Sequence, residues 1–282
     1  MDQPTHIGIV GTGLIGAALA ELIAERHPEI TVHAVEPNGA YRAAVSARLP
    51  RIKWAHCATE LATCDLICLA CPPDAVTGLA REIAAAGNPL MFDVASVKER
   101  ITTELSDVPR FVGGHPLSGG NSPGPFEAEP DALIRTRFVI TPHPGNSDDD
   151  IETVEHFLAS LGMTVFRMDP KSHDALLART SHLPHLLSYG YAQMLDGIDA
   201  GDLVSLASRS TREMTHFASD NTAMWAGIFQ QNAPHVSAAL DDVILDLMRL
   251  RESFAKGDTT DLMDRLGRAS ARAASLSRSS DE

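Results

Sequence analysis

Through the first 170 or so residues, short apolar runs alternate with amphipathic stretches. The runs are "HIGIV", "TVHAV", "DLICLA", "PLMFDV", "RFVGG" and "RFVITP". Between them lie segments such as "GLIGAALAELIAERH" and "PDAVTGLAREIAAAG", whose apolar residues recur at helical spacing. Near-continuous apolar strands separated by helices predict a parallel sheet covered on both faces, because each strand must bury both of its sides. "DDDIETVEHFLASLG" adds one more helix and "MTVFRM" one more strand. After Asp169 the periodicity is helical, with helices predicted over roughly 170–199, 201–218, 221–256 and 258–276 and no strand. No internal repeat is visible.

The first helix opens on glycines. In "HIGIVGTGLIGAALAELIAE" the loop Gly11-Thr12-Gly13-Leu14-Ile15-Gly16 holds its three glycines in G-x-G-x-x-G register between a strand and a helix. That context gives the motif its meaning: a tight turn, close backbone approach to a pyrophosphate, close helix–strand packing, and a helix N-terminus offering amides. Glu36 follows Gly16 by twenty residues, at the end of "TVHAVE". An acid there accepts from ribose hydroxyls and repels a 2′-phosphate, so the expected cofactor is NAD, although Arg42 lies nearby. The predicted fold class is α/β: a Rossmann-like dinucleotide-binding domain over 1–169, then an all-helical domain over 170–282.

Composition narrows the function. At 282 residues the chain is long for one core, consistent with two domains. Lys and Arg total 23 against 37 Asp and Glu, and a net charge of −14 repels nucleic acid. No run approaches the ~20 apolar residues of a membrane span. "MDQPTH" lacks the basic start of a secretory signal, so a cytoplasmic protein is expected. The four cysteines, Cys57, Cys64, Cys68 and Cys71, fall within fifteen residues, but their spacing is not a standard zinc pattern. Three lie in or beside the strand "CDLICLAC", which favours structural thiols over a metal site.

Three stretches carry further candidate chemistry. "GGHPLSGG" is either a turn or a rigid segment presenting His115. In "SHLPH", Ser181, His182 and His185 can share one side of a helix that Pro184 kinks or breaks. Their types admit a metal site, a Ser-His pair, or polar residues at a pocket; no third and fourth ligand and no nucleophile elbow accompany them. Arg212 and His216, at i and i+4 in "REMTHFASDNTAMW", form either a carboxylate-binding pair or a solvated face, with Trp225 close behind.

Taken in order, "GTGLIG", "FDVASVK", "GGHPLSGG", "SHLPH" and "REMTHFASDNTAMW" resemble the prephenate/arogenate dehydrogenases over nearly the whole chain. The resemblance implies a helical domain that dimerises, and NAD-dependent oxidative decarboxylation of a cyclohexadienyl acid in tyrosine biosynthesis. It makes His115 the group that draws the proton from the ring 4-hydroxyl as hydride departs, and places Ser96 near that hydroxyl and the nicotinamide. Ser181, His182 and His185 would line the pocket, Trp225 would wall it, and Arg212 would be a basic substrate-side residue. Two positions depart from the family pattern: Asn121 stands where an acid is usual, and His216 where an arginine holds a substrate carboxylate. The reaction class is unaffected, but arogenate or a 4-amino analogue becomes an alternative to prephenate. Two other readings differ in class: an inactive dinucleotide-binding regulatory protein, and a 3-hydroxyacid dehydrogenase. The latter uses a lysine in its helical domain, and residues 170–220 hold only Lys171.

Overall fold

The computed structural model describes residues 4–117 and 124–278. Among these, eight strands form one sheet: β1 (His6–Val10), β2 (Thr31–Val35), β3 (Lys53–Trp54), β4 (Leu66–Leu69), β5 (Leu90–Asp93), β6 (Phe111–Pro116), β7 (Arg137–Thr141) and β8 (Thr164–Arg167). Their order is β3-β2-β1-β4-β5-β6-β7-β8. The helices α1 (Leu14–Arg26), α2 (Gly39–Arg48), α3 (Pro73–Gly87), α4 (Glu99–Glu104) and α5 (Asp148–Ser160) fall between strands. β3, only two residues long, is too short to leave a periodic signal in the sequence.

The sheet departs from the all-parallel expectation at one place. β7 runs antiparallel to β6, whereas every other pair is parallel. Returning parallel requires a crossover, usually a helix. The described part of the β6–β7 connection holds only a 3-10 turn, Pro130–Ala132.

β4 and β5 are buried along their whole length, as central strands must be. Small residues on α1, among them Ala17, Ala18 and Ala20, let that helix pack close to the sheet. The Phe92 ring lies 6.2 Å from Phe138 and 6.4 Å from Phe157, joining β5, β7 and α5 in one core. Cys64 and Cys68 belong to this interior. Burial pushes the Cys64 thiol up to about 11 and the Cys68 thiol well above its ordinary value, so both are protonated and inert.

Beyond Asp169 the chain is helical: α6 (Pro170–Leu177), α7 (Leu183–Met194), α8 (Ala200–Leu206), α9 (Arg209–Thr215), α10 (Thr222–Gln231), α11 (Ala233–Ala255) and α12 (Thr259–Arg278). The predicted helix over 170–199 is interrupted by a π turn, Ala178–His182, after which α7 begins with Pro184 in its first turn. Proline has no N–H to continue the ladder, so the break falls just before it. The 201–218 helix splits where Ser208 caps α9, and the 221–256 helix at Asn232.

Residues Met1–Ala233 form one compact unit and Pro234–Glu282 a second. In the first, Trp225 and Ile228 of α10 share an apolar cluster with Val76, Ala80 and Ile83 of α3. In the second, Asp261 accepts from Ser253 and, at 2.8 Å, from Arg265, while Met248, Phe254 and Met263 stay exposed. Among the described residues no helix is long and apolar enough to cross a membrane.

Candidate active site

The glycine loop follows β1 where the strand order reverses between β1 and β4, the crevice in which open α/β sheets bind ligands. Gly11 has φ +90°, and a Cβ there would lie 2.5 Å from the Ala70 carbonyl oxygen, so the turn admits only glycine. A Cβ on Gly16 would fall 2.0 Å from the Gly11 oxygen. A Cβ on Gly13, by contrast, would meet nothing within 4 Å. The loop faces a cleft of about 880 Å³ lined by Gly13, Leu14, Ile15, Pro72, Val94 and Ser96. No side chain caps the start of α1, which leaves its first amides available to an anion.

Glu36 is buried at the end of β2 and holds this loop together. Its Oε2 accepts from the Thr12 amide at 2.8 Å and the Thr12 hydroxyl at 3.3 Å; its Oε1 accepts from the Asn38 amide at 2.8 Å. A carboxylate has about four acceptor sites, so room remains for a ribose hydroxyl. The Arg42 guanidinium lies 5.0 Å over the Trp54 ring. A carboxylate with acceptor capacity to spare and an arginine engaged on an indole suit a dinucleotide without a 2′-phosphate.

"GGHP" is the end of buried strand β6 and not a turn. A Cβ on Gly114 would lie 2.6 Å from the Asp93 carbonyl oxygen and 2.7 Å from the Phe138 ring, so glycine is required by crowding. Asp93 and Lys98, both fully buried, brace this strand end. Asp93 accepts from the Gly114 amide at 2.9 Å, the Ala95 amide at 3.1 Å and the Lys98 ammonium, which also donates to the Gly114 carbonyl at 2.8 Å. Burial lowers the Lys98 pKa against the opposing pull of Asp93. Such a pair persists inside a protein only when its hydrogen bonds are filled, as they are here.

His115, the next residue on β6, is buried, and its Nδ1 lies 2.9 Å from His173 Nε2. Burial above all, with the nearby Lys98 charge adding to it, holds its pKa well below 6.5. The fold therefore keeps this imidazole neutral throughout the neutral range. Gly11 follows the end of β1, Ser96 follows β5, and His115 lies near the end of β6, all on the carboxyl edge of the sheet. At about 4.8 Å per strand, the three steps from β1 to β6 separate loop and imidazole by about 14 Å, a span a dinucleotide bridges.

The helical candidates divide. His182 is buried, and the Asn232 amide nitrogen lies 3.0 Å from its Nδ1. An amide nitrogen only donates, which puts the His182 proton on Nε2. Burial lowers this histidine to about 4, so it is a neutral donor. His185 is differently placed: its Nδ1 lies 2.8 Å from the Ser181 carbonyl and its Nε2 3.1 Å from Asp220 Oδ2, while its ring stacks on Trp225. Both nitrogens are taken within the fold, so its contribution is to hold Trp225. Ser181 is half-buried on the π turn, and Ser96 half-buried in the cleft. Arg212 on α9 and His216 on the following 3-10 turn are exposed. Asn121 lies outside the described residues.

Four residues escaped the sequence reading: Asp93, Lys98, His173 and Asp174. Asp93 and Lys98 both lie in "FDVASVK", where their charges in an apolar run are a readable anomaly. His173 and Asp174 stand adjacent at the start of α6, but their partner His115 is 58 residues away from His173, beyond any local pattern.

Comparison with known proteins agrees with this geometry. Residues 19–167 match the family model of the prephenate dehydrogenase nucleotide-binding domain, and residues 169–268 that of the prephenate dehydrogenase dimerisation domain. The cyclohexadienyl dehydrogenase of Zymomonas mobilis is 28% identical over 268 residues, 92% of this chain and 92% of the relative. A prephenate dehydrogenase of Bacillus subtilis is 24% identical over 270 residues, covering 90% of this chain and 71% of the relative. The crystal structure of prephenate dehydrogenase from A. aeolicus, in complex with hydroxyphenyl propionate and NAD+, has the same fold: the TM-score is 0.89 at 21% identity, covering 98% of this chain and 99% of that one.

Proposed function

The chain belongs to the prephenate dehydrogenase family and is an oxidoreductase; from that premise we propose NAD-dependent oxidative decarboxylation of a cyclohexadienyl acid, with prephenate as substrate. The observation that carries the reading is the neutral, buried His115 on the same sheet edge as the glycine loop.

Gly11 to Gly16 and Glu36 would hold NAD, which would supply the hydride acceptor. His115 takes the proton of the ring 4-hydroxyl as hydride leaves C4. The electron pair of the bond to the departing CO2 moves into the ring, and the proton held on His115 returns to the phenolate oxygen. The products are 4-hydroxyphenylpyruvate, CO2 and NADH, with no net proton released. Burial weakens His115 as a base, but a dianionic substrate beside it would raise its affinity for the proton. Ser96, half-buried in the cleft, steadies the hydroxyl; His182 donates from Nε2; Ser181 and Trp225, backed by His185, shape the pocket. Arg212 supplies a permanent positive charge for a carboxylate, and Asn121 and His216 tune which acid is accepted.

We place the boundary between nucleotide-binding and helical domains at residues 169 and 170, and read the protein as a cytoplasmic homodimer. The dimerisation-domain match supports the dimer, as do the exposed Val204 and Leu206 of α8 and the exposed Leu245, Met248 and Phe254 of α11. Four free thiols suit a reducing compartment.

A second reading, arogenate or 4-amino-4-deoxyprephenate as substrate, follows from His216, which lacks the permanent charge and bidentate fork of arginine. The test is an assay of all three acids with NAD, following NADH. Turnover fastest with prephenate supports the first reading, and turnover fastest with an amino-bearing acid the second. NADH formation from none of them would overturn both.

A further inference from the structure

We infer that His173 and Asp174 are positioning residues that fix the tautomer of His115, placing its proton on Nδ1 and leaving Nε2 as the acceptor. The inference rests on the dehydrogenase reading for its kinetic consequences, but not for the tautomer itself.

The chain of reasoning begins at Asp174. Its Oδ1 accepts from the Lys98 amide at 2.8 Å and its Oδ2 from the Glu99 amide at 2.9 Å. Each of its oxygens thus serves as an acceptor for a backbone amide. His173 Nδ1 lies 2.8 Å from Oδ1, and a carboxylate only accepts, so His173 must carry a proton on Nδ1. In a neutral imidazole the other nitrogen is then a bare lone pair. That nitrogen, His173 Nε2, faces His115 Nδ1 at 2.9 Å. His115 therefore donates from Nδ1, and its Nε2 is left without a proton.

The competing arrangement is a doubly protonated His173. It would donate to His115 Nδ1, push the His115 proton to Nε2 and abolish the base. The groups facing His173 oppose it. His115 and His182 are kept neutral by burial, the negative charge of Asp174 is already shared between two amides, and Asp93 is matched by Lys98, so no unshared anion is left to balance a second cation. His173 itself has no exposure to water at all, so a second cation would be added where none can be solvated.

The geometry is also rigid. The His115 and His173 rings meet edge to face, 5.1 Å between centroids and 76° between planes. The Asp174 carbonyl accepts from the Asn232 side chain at 2.9 Å, which ties the start of α6 to the end of α10. An imidazole held at one nitrogen, with its ring plane set, directs the other nitrogen to one place. That is what a proton acceptor for a single hydroxyl needs.

Two experiments test this. In protein labelled with ¹⁵N-histidine, the His115 signals, identified by their loss in His115→Gln, should show a proton-bearing Nδ1 and a bare Nε2 at pH 7.5. A proton on Nε2, or on both nitrogens, would overturn the inference whether or not the protein turns over any cyclohexadienyl acid. If the tautomer is as stated and NADH is never formed, the positioning holds and the proposed function fails. In kinetics with the best substrate, His173→Leu should lower kcat by about 10²-fold, within the range of general-base losses, while KM changes less than about threefold. His173→Gln, whose amide oxygen can accept from His115 Nδ1, should recover at least about tenfold of that. Because His173 acts through His115, the double variant His115→Ala, His173→Leu should be no slower than His115→Ala alone. Equal loss in the Leu and Gln variants, or additive loss in the double variant, would reduce His173 to a packing residue.

Discussion

His185 and Trp225 lie face to face, their ring centroids 3.6 Å apart and their planes inclined by 24°. Phe217 lies 4.4 Å from the His185 ring, tilted 36° to it. With both nitrogens engaged, on the Ser181 carbonyl and Asp220, His185 cannot swing away, and the indole is fixed with it. His185→Ala should destabilise the fold by about 2–4 kcal/mol, combining a lost ring contact with a lost charged hydrogen bond. It should also raise KM more than it lowers kcat. Urea denaturation and steady-state kinetics check both; unchanged stability would remove His185 as the support of Trp225.

Glu36 binds its own loop and, in the proposed function, also holds the dinucleotide, so its removal should have two effects. Glu36→Ala should weaken NAD binding by at least about tenfold and narrow the preference for NAD over NADP, since the repulsion of a 2′-phosphate is gone. Calorimetric titration of both nucleotides against both proteins reads this directly. Tighter binding of NADP than NAD by the unmutated protein would sink the ribose assignment.

His115→Ala should lower kcat by about 10²–10⁴, with KM nearly unchanged, because the proton moves in the transition state. Near-normal turnover by the variant would leave His115 as a residue that merely completes β6.

Burial depresses His115 well below 6.5 and His182 to about 4, which makes stability depend on acid. From pH 6.5 downward the unfolded chain binds protons at these rings and the folded protein does not, so stability falls as pH falls. For His182 the loss accrues down to about pH 4 and amounts to roughly 3 kcal/mol. Above pH 6.5 neither ring contributes a slope. The melting temperature of His182→Gln should therefore drop less between pH 7 and pH 4.5 than that of the unmutated protein. Parallel curves would show that His182 is not held neutral.

Substrate choice turns on His216. If it meets a prephenate carboxylate, His216→Arg should tighten prephenate binding at pH 8, by at most about 1.5–3 kcal/mol. If the pocket is built for an amino-bearing acid, the same change should impair turnover of that acid and leave prephenate poor. Values of kcat/KM for the three acids separate the cases, and no change with any of them would place His216 outside the site.

Every strand but the two-residue β3, the glycine loop and the shift to helices at Asp169 were legible because each is a local pattern of apolar spacing or turn chemistry. The direction of β7 was not, since an apolar run reads the same either way. The interruption at Ala178–His182 was signalled by Pro184, but the one at Asn232 was hidden: its cause is partly tertiary, Asn232 being turned towards Asp174 and His182, and amphipathic spacing continues across it. His115 could be singled out by its glycines, yet its low pKa comes from burial and from side chains tens of residues away. The same holds for His185, whose commitment to Asp220 bridges 35 residues.

The grip of Asp174 on the amides of Lys98 and Glu99 bears on how such a protein can be recombined. A splice at residue 169 would separate His115 from His173, and so divide the base from the residue that aims it. A chimera joining this nucleotide-binding half to a foreign helical half would keep the glycine loop and Glu36 whole, and so retain affinity for the dinucleotide. Unless the incoming helix began with its own histidine and aspartate in register, its turnover should fall by at least the roughly 10²-fold expected of His173→Leu. Modular exchange is thus open to the cofactor half and closed to the chemistry, and the two halves must change together.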